Sequence, residues 1–181
     1  FHVGGYATPS AGEPDFRTSF GTPIAAQASL TGYPAGSINR YVFAGLSQTP
    51  GGTAMSRGTF ASASNAIMND PSYLNVALQG TIDAVTRILK VDVEVYYTDN
   101  SPVSTNFLNI AFVQDSILGP QTGATTWYPE KMVNGQYQHD KVFRTFLTGQ
   151  WGDPINTTTT GFTFAKQYTY TIPAQLPITA T

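Results

Sequence analysis

The sequence contains no cysteine, which excludes a disulfide, a thiolate metal site and a cysteine nucleophile from these 181 residues. Charged residues are also scarce, at 11% of the chain, against about 25% in an average soluble domain. The net charge is −2 and no block of basic residues occurs, so nucleic acid is not an expected partner. No apolar run approaches the ~18 residues of a membrane-spanning helix, so no transmembrane helix is expected.

The start of the chain lacks an initiator Met, a basic segment and an apolar signal-peptide core. It opens on Phe1-His2-Val3, which is typical of a strand, and a Gly pair follows. We therefore expect this sequence to be a piece of a longer protein, in which a signal or an active-site segment would precede Phe1.

Residues 1–72 mix helix and strand signals. Glu13–Phe20 begins with acidic residues and a Pro, which predicts a helix that ends at Gly21. An N-cap followed by Pro predicts another short helix over 22–26. Arg57–Asn69 predicts an amphipathic helix, because its apolar residues recur every three or four positions.

A proline loop, Gly32-Tyr33-Pro34-Ala35-Gly36, precedes a predicted strand over Ser37–Phe43. A cis X–Pro bond costs only ~0.5–1 kcal/mol more than trans, so a tight loop can hold one. We predict that the bond between Tyr33 and Pro34 is cis. The loop is either a structural feature before a strand or the flank of a substrate or thiol site.

From residue 73 the apolar residues recur with period two, which indicates half-buried strands. Short strands with turns between them and no helix pattern predict a β-sandwich. A long irregular loop is expected over 119–138. The predicted strands are 76–82, 89–97, 108–112, 142–147 and 162–172.

Several phrases, in order along nearly the whole chain, resemble the outer membrane protein 28 family of Bacteroidota, which comprises surface lipoproteins and secreted proteins. The phrases are His2-Val3-Gly4-Gly5-Tyr6-Ala7, Pro14-Asp15-Phe16-Arg17-Thr18, Gly32-Tyr33-Pro34-Ala35-Gly36 with Asn39-Arg40, Val91-Asp92-Val93-Glu94-Val95-Tyr96-Tyr97-Thr98, Val113-Gln114-Asp115 with Gly119-Pro120-Gln121, and Tyr137-Gln138-His139-Asp140 with Val142-Phe143-Arg144.

This resemblance implies an α+β protein in two consecutive domains. Residues 1–72 would be the C-terminal part of a thioredoxin-like domain, and residues 73–181 an immunoglobulin-like antiparallel β-sandwich. Pro34 matches the cis-proline position of the thioredoxin-like fold, whose redox CxxC pair would lie upstream of Phe1. The family also implies export to the outer membrane surface or the extracellular space, often with a lipid anchor or a C-terminal sorting domain.

Catalytic and metal sites are not expected. Ser116, His139 and Asp140 could be imagined as a triad, but no G-x-S-x-G pattern supports it. His2 and His139 do not have the spacing of metal ligands. Asp92 and Glu94 share a strand face with Lys90, which favours a solvated surface over acid–base chemistry.

Three short polar motifs match a ligand or modification pattern, and each can also be an ordinary surface segment. Asp99-Asn100-Ser101 offers oxygen ligands for calcium, but before a Pro it is more typical of a turn. Asn156-Thr157-Thr158 fits the N-glycan pattern, which matters only in a eukaryotic secretory pathway. Asp115-Ser116-Ile117 resembles the O-glycan acceptor motif of exported Bacteroidota proteins, with Ser116 as the acceptor.

Four aromatic residues occur in or beside the loop-rich part of the second half. Exposed Tyr and Trp side chains often contact partners, whereas buried ones would fill the ends of a sandwich. These candidate ligand or partner contacts are Trp127, Tyr128, Tyr137 and Trp151.

Three functions follow from these observations. The first is a non-enzymatic surface protein with a scaffold, adhesion or assembly role, without a cofactor and with a protein partner or a second copy as its contact. The second is an envelope thiol–disulfide protein whose CxxC pair precedes Phe1. The third is a structural subunit of a surface fibre or outer-membrane complex, because incomplete sheets invite pairing.

Overall fold

The computed structural model describes residues 11–178, which form two compact units, each made of two stretches of the chain. Unit 1 contains the described residues up to Asp70 and Ala111–Thr145, and unit 2 contains Pro71–Ile110 and the described residues from Phe146 onward. Residues 111–145, which the sequence assigns to the sandwich, thus belong to the same unit as the first part of the chain. The strand end expected at Phe1-His2-Val3 lies outside the described residues.

The helices are short, and the strands are numerous and mostly antiparallel, so the fold is β-rich. The helices are α1 (Gly21–Gln27), α2 (Phe60–Ile67) and α3 (Ala124–Trp127), with 3-10 turns at Arg57–Thr59 and Pro129–Lys131. The strands are β1 (Ala35–Gly36), β2 (Met55–Ser56), β3 (Leu74–Asp83), β4 (Ile88–Tyr97), β5 (Asn106–Leu108), β6 (Ala111–Gln114), β7 (Ile117–Gly119), β8 (Met132–Val133), β9 (Gln136–His139), β10 (Val142–Phe146), β11 (Asp153–Ile155) and β12 (Thr163–Thr171).

The first predicted helix, Glu13–Phe20, is wrong, because these residues have no helical structure. Phe16 and Phe20 contact different partners instead of sharing a helical face. The ring of Phe16 lies 4.7 Å from His139, and that of Phe20 lies 5.8 Å from Phe143. The two other helix predictions are confirmed by α1 and by α2 with its preceding 3-10 turn.

The strand predicted over Ser37–Phe43 is also wrong. Asn39 and Arg40 have φ angles of 50° and 52°, in the left-handed region that interrupts a strand. The chain turns there and brings Phe43 into a buried cluster with Met55. The apolar residues of this segment therefore pack from a turn, and the strand that follows Pro34 is the two-residue β1, which belongs to the proline loop itself.

The alternating segment 108–112 contains two strands instead of one. β5 pairs with β11 in unit 2, whereas β6 pairs with β10 in unit 1. Between them, the Ile110 amide donates to Thr148 Oγ1 at 3.1 Å and the Ile110 carbonyl accepts from the Leu147 amide at 2.9 Å. Alternation shows which side chains share a face, and it does not show where the chain leaves one sheet for another.

Unit 2 contains the long hairpin that the sequence predicts, with a turn over 84–87. β4 lies between β3 and β12, and every second residue of β4 is buried. The short β5–β11 sheet hydrogen-bonds to the same face of this sheet: Tyr97 donates to Asn106 Oδ1 at 2.9 Å, and Tyr168 donates to Asp153 Oδ2 at 2.8 Å. The predicted strands over 142–147 and 162–172 are confirmed as β10 and β12.

Unit 1 contains β1 paired with β2, β6 paired with β10, and a sheet in which β9 lies between β7 and β8. The expected loop over 119–138 contains α3, a 3-10 turn, β8 and the start of β9. Its elements are only two to four residues long, and local backbone hydrogen bonds connect them, such as those from the Tyr128 amide to the Ala124 carbonyl at 2.8 Å and from the Lys131 amide to the Tyr128 carbonyl at 3.0 Å.

Candidate partner-binding surfaces

The proline loop is ordered by one glutamine. The peptide bond between Tyr33 and Pro34 is cis. Just before it, Gln48 Oε1 accepts from the amides of Thr31 at 2.9 Å and Gly32 at 3.2 Å, and Gln48 Nε2 donates to the Gly32 carbonyl at 2.9 Å. One side chain therefore satisfies three backbone groups and sets the approach to the loop.

A shallow depression of about 400 Å³ lies beside this loop. Its lining offers hydroxyl, methyl and backbone groups, without a carboxylate, an imidazole or a thiol. The surface beside the loop therefore offers a concave contour and the Tyr33 ring, which is 61% exposed. Its lining contains no side chain that would act as a general acid or base at neutral pH. The lining residues are Thr22, Ala25, Ala26, Ser29, Leu30, Thr31, Tyr33 and Thr49.

Two of the predicted aromatic contacts lie on the surface of unit 1 at the end of α3. Trp127 is 75% exposed and Tyr128 is 53% exposed. Gly123 precedes α3 with a φ of +76°, and a Cβ there would lie 3.1 Å from Trp127 Cδ1. This position therefore favours glycine both for its backbone angle and for the space that the indole occupies.

The exposed Tyr128 is supported by rings beneath it. Tyr128 meets Tyr137 edge to face at 6.3 Å between centroids, and Tyr137 meets His139 at 4.8 Å. Phe16 completes this set, and its ring centroid lies 4.7 Å from that of His139. We call these four residues the aromatic row; it runs from an exposed tyrosine to a histidine that is only 5% exposed. Trp151, the other predicted contact, belongs to unit 2 and is 61% exposed.

A polar network lies close by in sequence, centred on Asp140. Its carboxylate accepts from Lys131 Nζ at 2.7 Å, from the Ser116 amide at 3.0 Å and from Gln138 Nε2 at 3.2 Å. The hydrogen bond from Lys131, helped by those from Ser116 and Gln138, lowers the pKa of Asp140 to about 2. The carboxylate is therefore charged in neutral solution and holds three segments of unit 1 together.

The arrangement does not form a serine–histidine–aspartate triad. Asp140 binds the backbone amide of Ser116, and the Ser116 hydroxyl accepts from Gln138 Nε2 at 3.4 Å. His139 is buried between aromatic rings and hydrogen-bonds the Pro120 backbone, and burial lowers its pKa. The histidine therefore serves packing in unit 1.

Ser116 lies on an exposed connection between β6 and β7, with a φ of 61°. Next to it, Asp115 accepts from the Lys141 amide at 2.6 Å and from Lys141 Nζ at 2.7 Å. The hydrogen bonds from Lys141 lower the pKa of the Asp115 carboxyl. An accessible hydroxyl on an ordered connection is compatible with modification, and the O-glycan at Ser116 stays a prediction.

The sequence analysis missed an exposed apolar surface on unit 2. Val76, Leu78 and Ile82 of β3 are 57%, 60% and 47% exposed. They lie directly opposite Val95, Val93 and Leu89 of β4, all of which are buried. We call these three β3 residues the β3 row. The signal that could have found it is the scarcity of charge in β3, whose one ionisable residue is Asp83.

Metal-ligand clusters and membrane-spanning helices are both missing from residues 11–178. No group of three or more His, Asp or Glu residues lies close enough there to hold a metal ion. None of the helices in the same range combines the length and the apolar character needed to cross a bilayer.

Comparison with known proteins identified one family. The profile described as Omp28, outer membrane protein Omp28, matches residues 23–180, which is most of the chain. Neither the curated proteins nor the solved structures gave a match.

Proposed function

The chain belongs to the outer membrane protein Omp28 family, and from that premise we propose that it is a non-enzymatic surface protein that binds a protein partner in a scaffold, adhesion or assembly role. Membership of the family locates the protein at the outer membrane. We further propose a lipoprotein or secreted protein of Bacteroidota, which is what the resemblance implies.

The observation that carries this proposal is the exposed end of the aromatic row with Trp127 beside it in sequence. Trp and Tyr are the residue types most enriched among the residues that dominate binding energy. Tyr128 is already held by Tyr137, so little side-chain entropy is lost when a partner covers it. The charged pairs Lys131–Asp140 and Asp115–Lys141 supply the polar groups that usually surround such a centre.

The domain assignment belongs to the same proposal. A partial thioredoxin-like domain over 1–72 is supported by the family resemblance, and an immunoglobulin-like sandwich over 73–181 by the two antiparallel sheets of unit 2. Residues 111–145 belong to unit 1, so the support for the sandwich comes from the other parts of 73–181.

Photo-crosslinking in producing cells tests the binding surface. Benzoylphenylalanine at position 127 or 128 should give an adduct with the same envelope protein, and the W127A substitution should weaken capture from position 128. Met68 is the control, because it lies in unit 1 with the same 75% exposure as Trp127. Identical adducts at position 68, no adducts at all, or reproducible turnover by the purified full-length protein would contradict the proposal.

The candidate O-glycan at Ser116 has a direct test. Mass spectrometry of the peptide that carries Ser116, from protein purified out of its natural host, should show a mass shift that S116A abolishes. An unmodified peptide at full sequence coverage would remove this modification from the proposal.

A further inference from the structure

β3 is an edge strand of unit 2, and its outer side is open. The order of the sheet is β12–β4–β3, and within residues 11–178 no strand pairs with the outer side of β3. The strand is ten residues long and contains no Pro, Lys or Arg; its one charged residue, Asp83, stands at its end. Edge strands of soluble proteins are usually short or protected by charge, Pro or bulges, and β3 has none of these over its first nine residues.

The hydrogen bonds of β4 show which backbone groups of β3 point outward. Tyr97 of β4 uses both backbone groups toward the β12 side: its amide donates to Phe162 at 2.9 Å and its carbonyl accepts from Gly161 at 2.8 Å. Consecutive residues of an antiparallel strand alternate between its two neighbours. Leu74, which lies opposite Tyr97, therefore directs its amide and carbonyl to the open side, where Ser72 Oγ accepts from the amide at 3.3 Å and donates to the carbonyl at 2.6 Å. The other outward residues are Val76, Leu78, Gly80 and Ile82.

From Val76 to Ile82 the outward backbone groups and the β3 row thus belong to the same strand positions. A strand added at this edge would satisfy the outward amides and carbonyls, and its side chains would lie beside the exposed Val76, Leu78 and Ile82. Pairing of this kind combines main-chain hydrogen bonds with side-chain burial.

We propose that the occupant of this edge is β3 of a second copy, paired antiparallel about a two-fold axis at Leu78. In that register Leu78 faces Leu78 of the second copy, Val76 faces Gly80, and Leu74 faces Ile82. All five outward residues then find outward residues opposite them. The Leu78 pair and the two Val76–Gly80 pairs give about six hydrogen bonds, and the two Leu74–Ile82 pairs add to these when Leu74 exchanges Ser72 Oγ for the second copy. Because opposite residues share a face, the β3 row of one copy continues into that of the other.

The charges of β3 agree with this register. Asp83 of each copy lies opposite Tyr73, so the two carboxylates stand at opposite ends of the paired strands. On the polar face Asn75 lies opposite Thr81, and Ala77 opposite Gln79. No two like charges meet, and the three-stranded sheet becomes a continuous sheet twice as wide.

The second edge of the sheet is less suited to pairing. β12 carries Lys166, whose ammonium group binds Asp153, and a lysine on an edge strand disfavours the addition of another strand. Pairing of β3 with β12 of the next copy would be head to tail and could extend without closing, whereas pairing of β3 with β3 closes as a dimer.

Disulfide trapping tests the register directly, because the chain has no cysteine. In a hydrogen-bonded antiparallel pair the Cα atoms are about 5.5 Å apart, which is within the usual range for a disulfide. The full chain with L78C should form a covalent dimer under mild oxidation at least tenfold faster than V85C. Val85 is the control, because it is 93% exposed in the hairpin turn. Equal or slower trapping of L78C would overturn the proposal.

Sedimentation of the full chain tests the interface without a crosslink. The wild type should form a dimer, L78K should raise the dimer Kd about tenfold or more because two ammonium groups would meet at the axis, and Q79K should leave the Kd nearly unchanged. Gln79 is the matched control because it is an exposed neighbour on the opposite face of the same strand. A monomeric wild type, assemblies larger than a dimer, or equal effects of L78K and Q79K would overturn the proposal. If L78K fails to fold, as circular dichroism would reveal, the trapping experiment alone decides.

Discussion

The two units are organised in different ways. Unit 2 is built around β3 and β4, two strands of ten residues each joined by a short turn. In unit 1, β1, β2 and β8 have two residues each, and loops between them are held by side chains such as those of Gln48 and Asp140. Unit 1 therefore depends on individual side-chain hydrogen bonds, and unit 2 depends on a regular ladder of strands.

This difference predicts which substitutions each unit tolerates. In unit 2 the cost of a substitution should depend on whether the side chain is buried, as in alternate residues of β4, or exposed, as along β3. In unit 1 stability should depend on single polar side chains that satisfy several backbone groups at once, since one substitution then removes several hydrogen bonds together.

The largest effect is expected for L89A. Leu89 of β4 is 8% exposed, so its truncation should cost about 2–5 kcal/mol in the free energy of unfolding. The same change at the exposed Leu78 should cost less than about 1 kcal/mol. Urea unfolding at a protein concentration low enough to keep both variants monomeric gives the comparison. Equal losses of unfolding free energy for L89A and L78A would show that Leu89 and Leu78 are buried to the same extent.

In unit 1 the corresponding substitution is Q48A. It removes the partner of two amides and one carbonyl before Pro34, and we expect a loss of about 1–3 kcal/mol. Hydrogen exchange at the Thr31 and Gly32 amides should also become faster. Q79A, in the exposed face of β3, serves as the control. Unchanged exchange at both amides would contradict the role given to Gln48.

A smaller effect is expected for Y97F in unit 2. The Tyr97 hydroxyl donates to Asn106 at 2.9 Å, and its loss should cost about 1–1.5 kcal/mol. Tyr96 is the matched control, because it is the next residue and is 46% exposed. Thermal unfolding of Y97F and Y96F should therefore differ, and similar melting temperatures would contradict the contact between the two sheets.

The smallest effect concerns the pH dependence of unit 1. The pKa of Asp140 is lowered from 3.8 to about 2, so its contribution to stability is present above about pH 4 and is lost as the pH falls toward 2. Because the pair with Lys131 is partly exposed, the contribution should be less than about 1 kcal/mol. Melting temperatures from pH 6 to pH 2 should fall less steeply for D140N than for the wild type.

K131Q provides a second variant for that measurement. Lys131 is the largest cause of the lowered pKa of Asp140, so its removal should raise that pKa and also flatten the acid limb. An unchanged acid limb in both variants would show that the network does not stabilise unit 1.

Local periodicity predicted the long elements, whereas two predictions that rest on a few residues each failed. The β3–β4 hairpin, β10, β12 and α2 follow from patterns that extend over several residues, each of which repeats the same signal. The helix expected at Glu13–Phe20 and the strand expected at Ser37–Phe43 rest on a few residues each. Their side chains contact His139, Phe143 and the cluster around Met55, and such long-range packing overrides local preference.

The candidate surfaces divide in the same way. Residue type alone identified Trp127 and Tyr128 as contacts to examine, and both are exposed. The ring contacts of Tyr137 with Tyr128 and His139 could not be predicted in this way. The same holds for the hydrogen bonds that Asp140 accepts from Lys131 and Ser116. These contacts depend on segments that are distant in sequence and meet where β9 pairs with β7.

The sequence by itself determined the family, the outer-membrane setting and the period-two strands of a β-rich protein. It also indicated that Val76, Leu78 and Ile82 share one face of a strand and that Val93 and Val95 share one face of the next strand, and the register that puts both sets on one sheet face came from the structure. Only the tertiary structure decided that the β4 residues are buried while the β3 residues stay open. Alternation specifies which side chains point to one face, and the covering of that face depends on a second sheet, β5 and β11, from a distant part of the chain.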